Sequence, residues 1–225
     1  MNAISHPSEA EYVFLDLDGT LSDPSIGITS GVMFTLERFG ILETDREKLK
    51  AFIGPPLYGS FMKYYGFSLE DAYKAVAVFQ EYYAPRGQYE NTPYPGIREM
   101  LAKWKREGHK LILATSKPEI FAVAILERFS MADSFAFIAG GNEEETRVHK
   151  DEIIAYAKKQ LNLDDSIKAV MVGDTEYDVR GAAKHGIPTI GVTYGFGGAH
   201  VLKEAGARWI AESVEELDKL MQRNF

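Results

Sequence analysis

Tyr12-Val13-Phe14-Leu15-Asp16-Leu17-Asp18-Gly19-Thr20 runs four strand-forming apolar residues into two aspartates and a glycine. An apolar run this short, stopped by a glycine, predicts a buried strand over 12–15 followed by a turn. The same signature returns at Lys110-Leu111-Ile112-Leu113-Ala114-Thr115, Phe135-Ala136-Phe137-Ile138-Ala139, Ala169-Val170-Met171-Val172-Gly173 and Pro188-Thr189-Ile190-Gly191-Val192. A sixth, shorter copy is Arg208-Trp209-Ile210-Ala211. Between these runs the apolar period becomes helical. Residues 97–107 put Ile97, Met100, Leu101 and Trp104 on one face and stop at Gly108. Helices are also predicted over 118–129, with Pro118 at an early position, over 150–161, over 177–185 ahead of Gly186, and over 214–221. Strands alternating with helices predict an α/β fold with a parallel sheet covered on both faces.

Residues 23–91 break that alternation. They carry no strong strand and read as helices over 26–39, 45–52, 58–65 and 69–83, with a rigid turn at Ile53-Gly54-Pro55-Pro56-Leu57. The insert is too long for an ordinary crossover between the first two strands. It predicts a small helical domain over 23–91, set into a core of 1–22 and 92–225. Pro24, Pro93 and Pro95 mark the junctions. The insert's aromatics, among them Phe52, Tyr58, Phe61, Tyr64, Tyr73 and Phe79, read as its own core before they read as a substrate box.

Composition narrows the class of protein. The 225 residues carry a formal net charge of -8, which disfavours a nucleic-acid partner but not a small phosphorylated one, since a metal ion can offset local charge. The absence of cysteine removes disulfides, thiolate metal sites and a Cys nucleophile together. Residues 1–11 hold no apolar run of the signal-peptide kind, and no stretch is long and apolar enough to span a bilayer. A cytoplasmic protein without a membrane partner, monomeric or homodimeric, is expected. His6, His109, His149, His185 and His200 are scattered and read as surface or capping residues.

In an open parallel sheet, ligands bind beyond the carboxyl ends of the strands. The residues expected there are Asp16 and Asp18 after the first strand, Thr115-Ser116-Lys117 after the second, and Asp174 with Asp178 after the fourth. Crowded carboxylates repel and need a cation or protons. An all-oxygen ligand set suits a hard ion, with Mg2+ the default. A hydroxyl and a lysine suit a phosphoryl oxygen, so the set describes a phosphoryl-transfer site. No Gly-x-x-x-x-Gly-Lys-[Ser/Thr] follows the first strand, and Gly195-Phe196-Gly197-Gly198 reads as a flexible loop.

Asp16-Leu17-Asp18-Gly19-Thr20-Leu21, Thr115, Lys150 and Gly173-Asp174-Thr175-Glu176-Tyr177-Asp178 resemble the four ordered motifs of the haloacid dehalogenase-like hydrolases. The resemblance spans essentially the whole chain and implies a Rossmann-like core whose helical insert is a C1 cap. Phe52-Ile53-Gly54-Pro55-Pro56-Leu57 and Tyr194-Gly195-Phe196-Gly197 look like the phosphoglycolate phosphatase-like branch. On this resemblance Asp16 is the nucleophile that becomes an aspartyl phosphate, and Asp18 is the general acid and base. Thr115, the Ser116 backbone, Gly19, Lys117 and Lys150 would hold the phosphoryl group. Asp16, the Asp18 carbonyl, Asp174 and Asp178 would hold Mg2+. Lys117 reads either as a substrate contact or as a solvated lysine, and the solvated reading is preferred. Relatives place a proline after the motif lysine where this chain has Asp151; Lys158 and Lys159 should face away from the site.

The resemblance thus implies a Mg2+-dependent phosphatase acting on a small phosphorylated metabolite, phosphoglycolate- or nucleotide-like. A sugar phosphomutase or a pyrophosphatase would use the same groups. A catalytically silent binding protein of the same fold would be expected to have lost a motif aspartate, and all four are present.

Overall fold

The computed structural model describes residues 4–142 and 146–222. Glu143-Glu144-Glu145, expected as a loop in water, lies outside the described residues. The chain divides into two compact units, residues 1–22 with 93–225, and residues 23–92.

The first unit holds a parallel sheet of β1 (Tyr12–Leu15), β4 (Lys110–Pro118), β5 (Phe135–Gly141), β6 (Ala169–Gly173), β7 (Thr189–Val192) and β8 (Trp209–Ala211), ordered β5-β4-β1-β6-β7-β8. Leu15 pairs with Leu113 on one side and Val172 on the other, so the chain leaves β1, β4 and β6 at one height. Side chains alternate between the faces of a strand. Val13, Leu15, Leu111, Leu113, Val170 and Val172 join one core cluster with residues of α5 (Ile97–Arg106), α6 (Glu119–Arg128) and α10 (Val214–Leu220). Phe14, Ile112, Ala114 and Met171 face the other way, onto Ile153, Ile154 and Ala157 of α7 (Lys150–Gln160) and Ala182 of α8 (Glu176–Ala183). Each of the larger of these side chains removed from water contributes about 1.5–3 kcal/mol, which drives the three-layer arrangement.

Three features depart from the sequence reading. β4 continues through Pro118, so Thr115, Ser116 and Lys117 lie within the strand, and α6 begins at Glu119 with Pro118 as its N-cap. A helix not expected, α9 (Ala199–Ala205), follows the glycine run after β7. His109 is buried rather than at the surface, its Nδ1 2.8 Å from the Ala10 carbonyl oxygen. His6 and His149, in contrast, are N-cap residues.

The second unit is helical: α1 (Ser25–Arg38), α2 (Arg46–Leu49), α3 (Leu57–Tyr65) and α4 (Leu69–Tyr83). Gly31 on α1 lets the Phe79 ring of α4 approach so closely that a β-carbon there would lie 2.6 Å from it. Phe52 meets Phe61 edge-on at 5.0 Å, and both are buried, whereas Tyr64 and Tyr73 are exposed. Aromatic packing in this unit is therefore core in part only. The two short strands at the junctions, β2 (Ser22–Asp23) and β3 (Thr92–Pro93), pair with each other.

Candidate active site

Asp16 follows β1 in the same alternation as Phe14, which aims it at the face covered by α7 and α8. Lys150 meets it there. Its ammonium lies 2.8 Å from Asp16 Oδ1 and 2.8 Å from Asp178 Oδ1, and it donates to the Ala114 carbonyl at 2.8 Å. Lys150 is the first residue of α7, an end where the helix dipole disfavours a cation. Two carboxylates reverse that preference. Burial works against the Lys150 charge, but Asp16 and Asp178 outweigh it and raise its proton affinity above the ordinary lysine range. The missing proline after Lys150 does not disturb this placement. Lys158 turns away to Asp165, as expected.

Asp178 is set by the start of α8. The Thr175 amide and hydroxyl donate to Asp178 Oδ2 at 3.0 and 2.8 Å, leaving Oδ1 for Lys150. Asp174 is fully buried and accepts from the Phe196 amide at 2.8 Å through Oδ2, and from the Thr20 hydroxyl at 3.4 Å through Oδ1. Burial pushes both acids upward, and the carboxylates of Asp178 and Asp16 push Asp174 further still. The loop at Gly195-Phe196-Gly197-Gly198 therefore packs on the site, where the sequence suggested a free loop. Its sequence showed a glycine run and a branch-like motif but not this contact, since a backbone donor has no side-chain signature.

Asp18 stands apart from that cluster. Its Oδ2 pairs with Lys117 at 2.8 Å, while its Oδ1 is buried with no hydrogen-bond partner among the described residues. Burial raises its carboxyl above the usual range, the Lys117 ammonium pulls it partly back, and Asp16 pushes it up again. Lys117 is buried, which corrects the preferred reading of it as solvated. Thr115 is buried and its hydroxyl accepts from the Lys117 amide at 3.3 Å; Ser116 beside it is half-buried. Gly19 adopts φ +82° and abuts the Asp174 carboxylate, where a β-carbon would lie 2.1 Å from Oδ2.

Among the described residues, Asp16, Asp174 and Asp178 offer oxygens all within 4.8 Å of one another. With all four acids ionised, Asp18 and the triad would set four buried carboxylates against the two ammoniums of Lys117 and Lys150, two negative charges in excess. Charge and donor type both fit a hard divalent cation. The Asp18 carboxylate is outside this triad. No helix among the described residues is long and apolar enough to cross a membrane.

A family described as haloacid dehalogenase-like hydrolase matches residues 13–192. A 5'-nucleotidase of Pseudomonas aeruginosa is 42% identical over 191 residues, covering 85% of this chain and 86% of that protein. The tyrosine-protein kinase PtkA of Mycobacterium tuberculosis is 34% identical, over 95% of this chain and 73% of its own. Proteins named phosphoglycolate phosphatase are also relatives, at 27–29% identity. The crystal structure of a predicted phosphatase from Clostridium acetobutylicum superposes with a TM-score of 0.91 at 45% identity, covering 93% of this chain and 97% of that one. With the motif residues gathered at one sheet edge, the chain belongs to the haloacid dehalogenase-like hydrolases, an enzyme family, and stands among its phosphatases.

Proposed function

We propose that this enzyme hydrolyses a small phosphomonoester through a phosphoaspartate on Asp16, with Mg2+ as its ion. The observation that carries the reading is the Lys150 ammonium held 2.8 Å from Asp16, beside two further buried acids. An Asp16 oxygen attacks phosphorus while the bond to the leaving oxygen breaks, and Asp18 gives that oxygen its proton. Lys117, already 2.8 Å from Asp18, stabilises the carboxylate so formed. Asp18 then takes a proton from water as that water attacks phosphorus, which frees phosphate and restores Asp16. Thr115, the Ser116 backbone, Gly19, Lys117 and Lys150 are assigned to the phosphoryl oxygens. Asp16, Asp174, Asp178 and the Asp18 carbonyl would hold Mg2+, which supplies charge neutralisation at the phosphoryl group.

The helical unit is assigned the role of a cap that selects the substrate, since it is inserted directly after the segment bearing Asp16 and Asp18. Likeness to a 5'-nucleotidase supports a nucleoside monophosphate as the first substrate to test, with phosphoglycolate second. The reading extends to a cytoplasmic setting, where Mg2+ and phosphometabolites occur together.

Phosphate release is to be measured over 5'-nucleotides, phosphoglycolate and sugar phosphates, with and without Mg2+. Asp16→Asn should lower turnover by at least about 10^3-fold while the protein stays folded. Wild-type activity in that variant overturns the mechanism. Label transferred from ATP to a tyrosine without phosphate release would point to a kinase instead.

A further inference from the structure

Gly19 and Gly195, distant in sequence, close on the Asp174 carboxylate, and Gly197 closes on its backbone carbonyl. A β-carbon on Gly19 would lie 2.1 Å from Asp174 Oδ2, and one on Gly195 would lie 2.5 Å from both Oδ2 and the Asp174 β-carbon. On Gly197 it would lie 2.0 Å from the Asp174 carbonyl oxygen. These separations leave no space for a side chain, so the two backbones touch Asp174 directly. The Phe196 amide, between the last two glycines, donates to Oδ2 at 2.8 Å. Tyr194 ties the loop down: its hydroxyl donates to the Thr20 carbonyl at 3.1 Å, and its ring meets Tyr94 edge-on at 4.9 Å.

The packing answers a specific electrostatic problem. Asp174, Asp16 and Asp178 lie within 4.8 Å of one another, and like charges at that distance drive side chains apart. A free Asp174 would relax by turning away, and an incoming cation would have to turn it back. The glycine walls block that rotation and the Phe196 amide fixes one oxygen. We propose that Gly195, Phe196 and Tyr194 are positioning residues that hold Asp174 ready for the metal ion without binding the ion themselves. This rests on the reading of Asp174 as a metal ligand.

The test is isothermal titration of Mg2+ into the metal-free full chain, with the Mg2+ activation constant and kcat measured alongside. Gly195→Ala should weaken Mg2+ binding by about 10- to 100-fold, the range typical when a group supporting a ligand is lost. Tyr194→Phe, which removes only the tie to Thr20, should weaken it several-fold and raise the activation constant in parallel. In both, kcat at saturating Mg2+ should change far less than the activation constant. Wild-type Mg2+ affinity in folded Gly195→Ala and Tyr194→Phe overturns the inference while sparing the metal reading. If Gly195→Ala does not fold, Tyr194→Phe decides alone, and unchanged affinity there overturns it. A wild-type chain that binds no Mg2+ sinks the metal reading and this inference with it.

Discussion

Lys117 and Asp18 form a 2.8 Å ion pair in which the two side chains are only 4% and 10% exposed. Oδ1 of the same aspartate has no hydrogen-bond partner among the described residues, so among them Lys117 is what this carboxylate chiefly depends on. Lys117→Met should lower unfolding stability at pH 7 by about 3 kcal/mol, the cost of leaving a buried charge alone. The lone acid can escape that cost by binding a proton. The loss should therefore shrink as pH falls toward 5. Denaturant unfolding at both pH values measures this, and equal losses would show that the pair carries no charge coupling.

Lys150 is the cation among Asp16, Asp178 and the Ala114 carbonyl. Lys150→Met should reduce kcat by about 10^2–10^3, the scale of losing one group that stabilises transition-state charge. The same variant should gain more in melting temperature from added Mg2+ than the wild type does, because the ion then offsets the carboxylates with no competing ammonium. A smaller gain would count against shared neutralisation.

Burial raises the carboxyls of Asp174 and Asp178 in the folded chain. An acid raised on folding favours the protonated native state. Its contribution is complete below the unfolded value near 3.9 and is lost as pH rises through the folded value. Metal-free protein should accordingly lose stability from this pair as pH rises above about 4. Mg2+, which needs deprotonated ligands, should stabilise more at pH 8 than at pH 5. Melting curves with EDTA and with Mg2+ across that range test it; a Mg2+ shift independent of pH would contradict it.

Away from the site, Asp218 accepts from the buried Trp104 indole at 2.9 Å and from Lys103 at 2.7 Å, joining α10 to α5. Asp218→Ala orphans the indole N–H and should cost about 1–3 kcal/mol. Adding Trp104→His or another donor-bearing residue should not recover it, whereas Trp104→Phe in that background should cost less than it does alone. Additive losses would mean that the hydrogen bond contributes nothing.

The sequence is most legible where chemistry and periodicity coincide. β1, β4 and β6 are apolar runs that end near polar residues; β1 and β6 lie where their patterns predict, and β4 begins there but runs on to Pro118. The aspartates are readable because three acids just past strand ends, with Asp178 in the first turn of the next helix, have little structural purpose of their own. Lys117 is not readable in this way. A lysine after a hydroxyl pair looks like surface, and only the extension of β4 to Pro118 carries it inward to Asp18. Gly195 and Gly197 mislead for a related reason. In sequence a glycine signals freedom, while here the missing side chain permits contact with Asp174, a residue some twenty positions earlier. α9 escapes notice because it is short and begins at the glycine run's end. His109 is legible only through its partner, a backbone carbonyl that carries no identity.

The insertion of residues 23–92 between β1 and β4 leaves all six strands of the parallel sheet in the other unit. No ladder hydrogen bond of that sheet is interrupted by what the insert contains. On the proposed role of residues 23–92 in choosing the substrate, the reaction and the choice of molecule would be separately heritable: drift among those helices would retune what is recognised, while Asp16, Lys150 and Asp174 belong to the unit that holds the sheet.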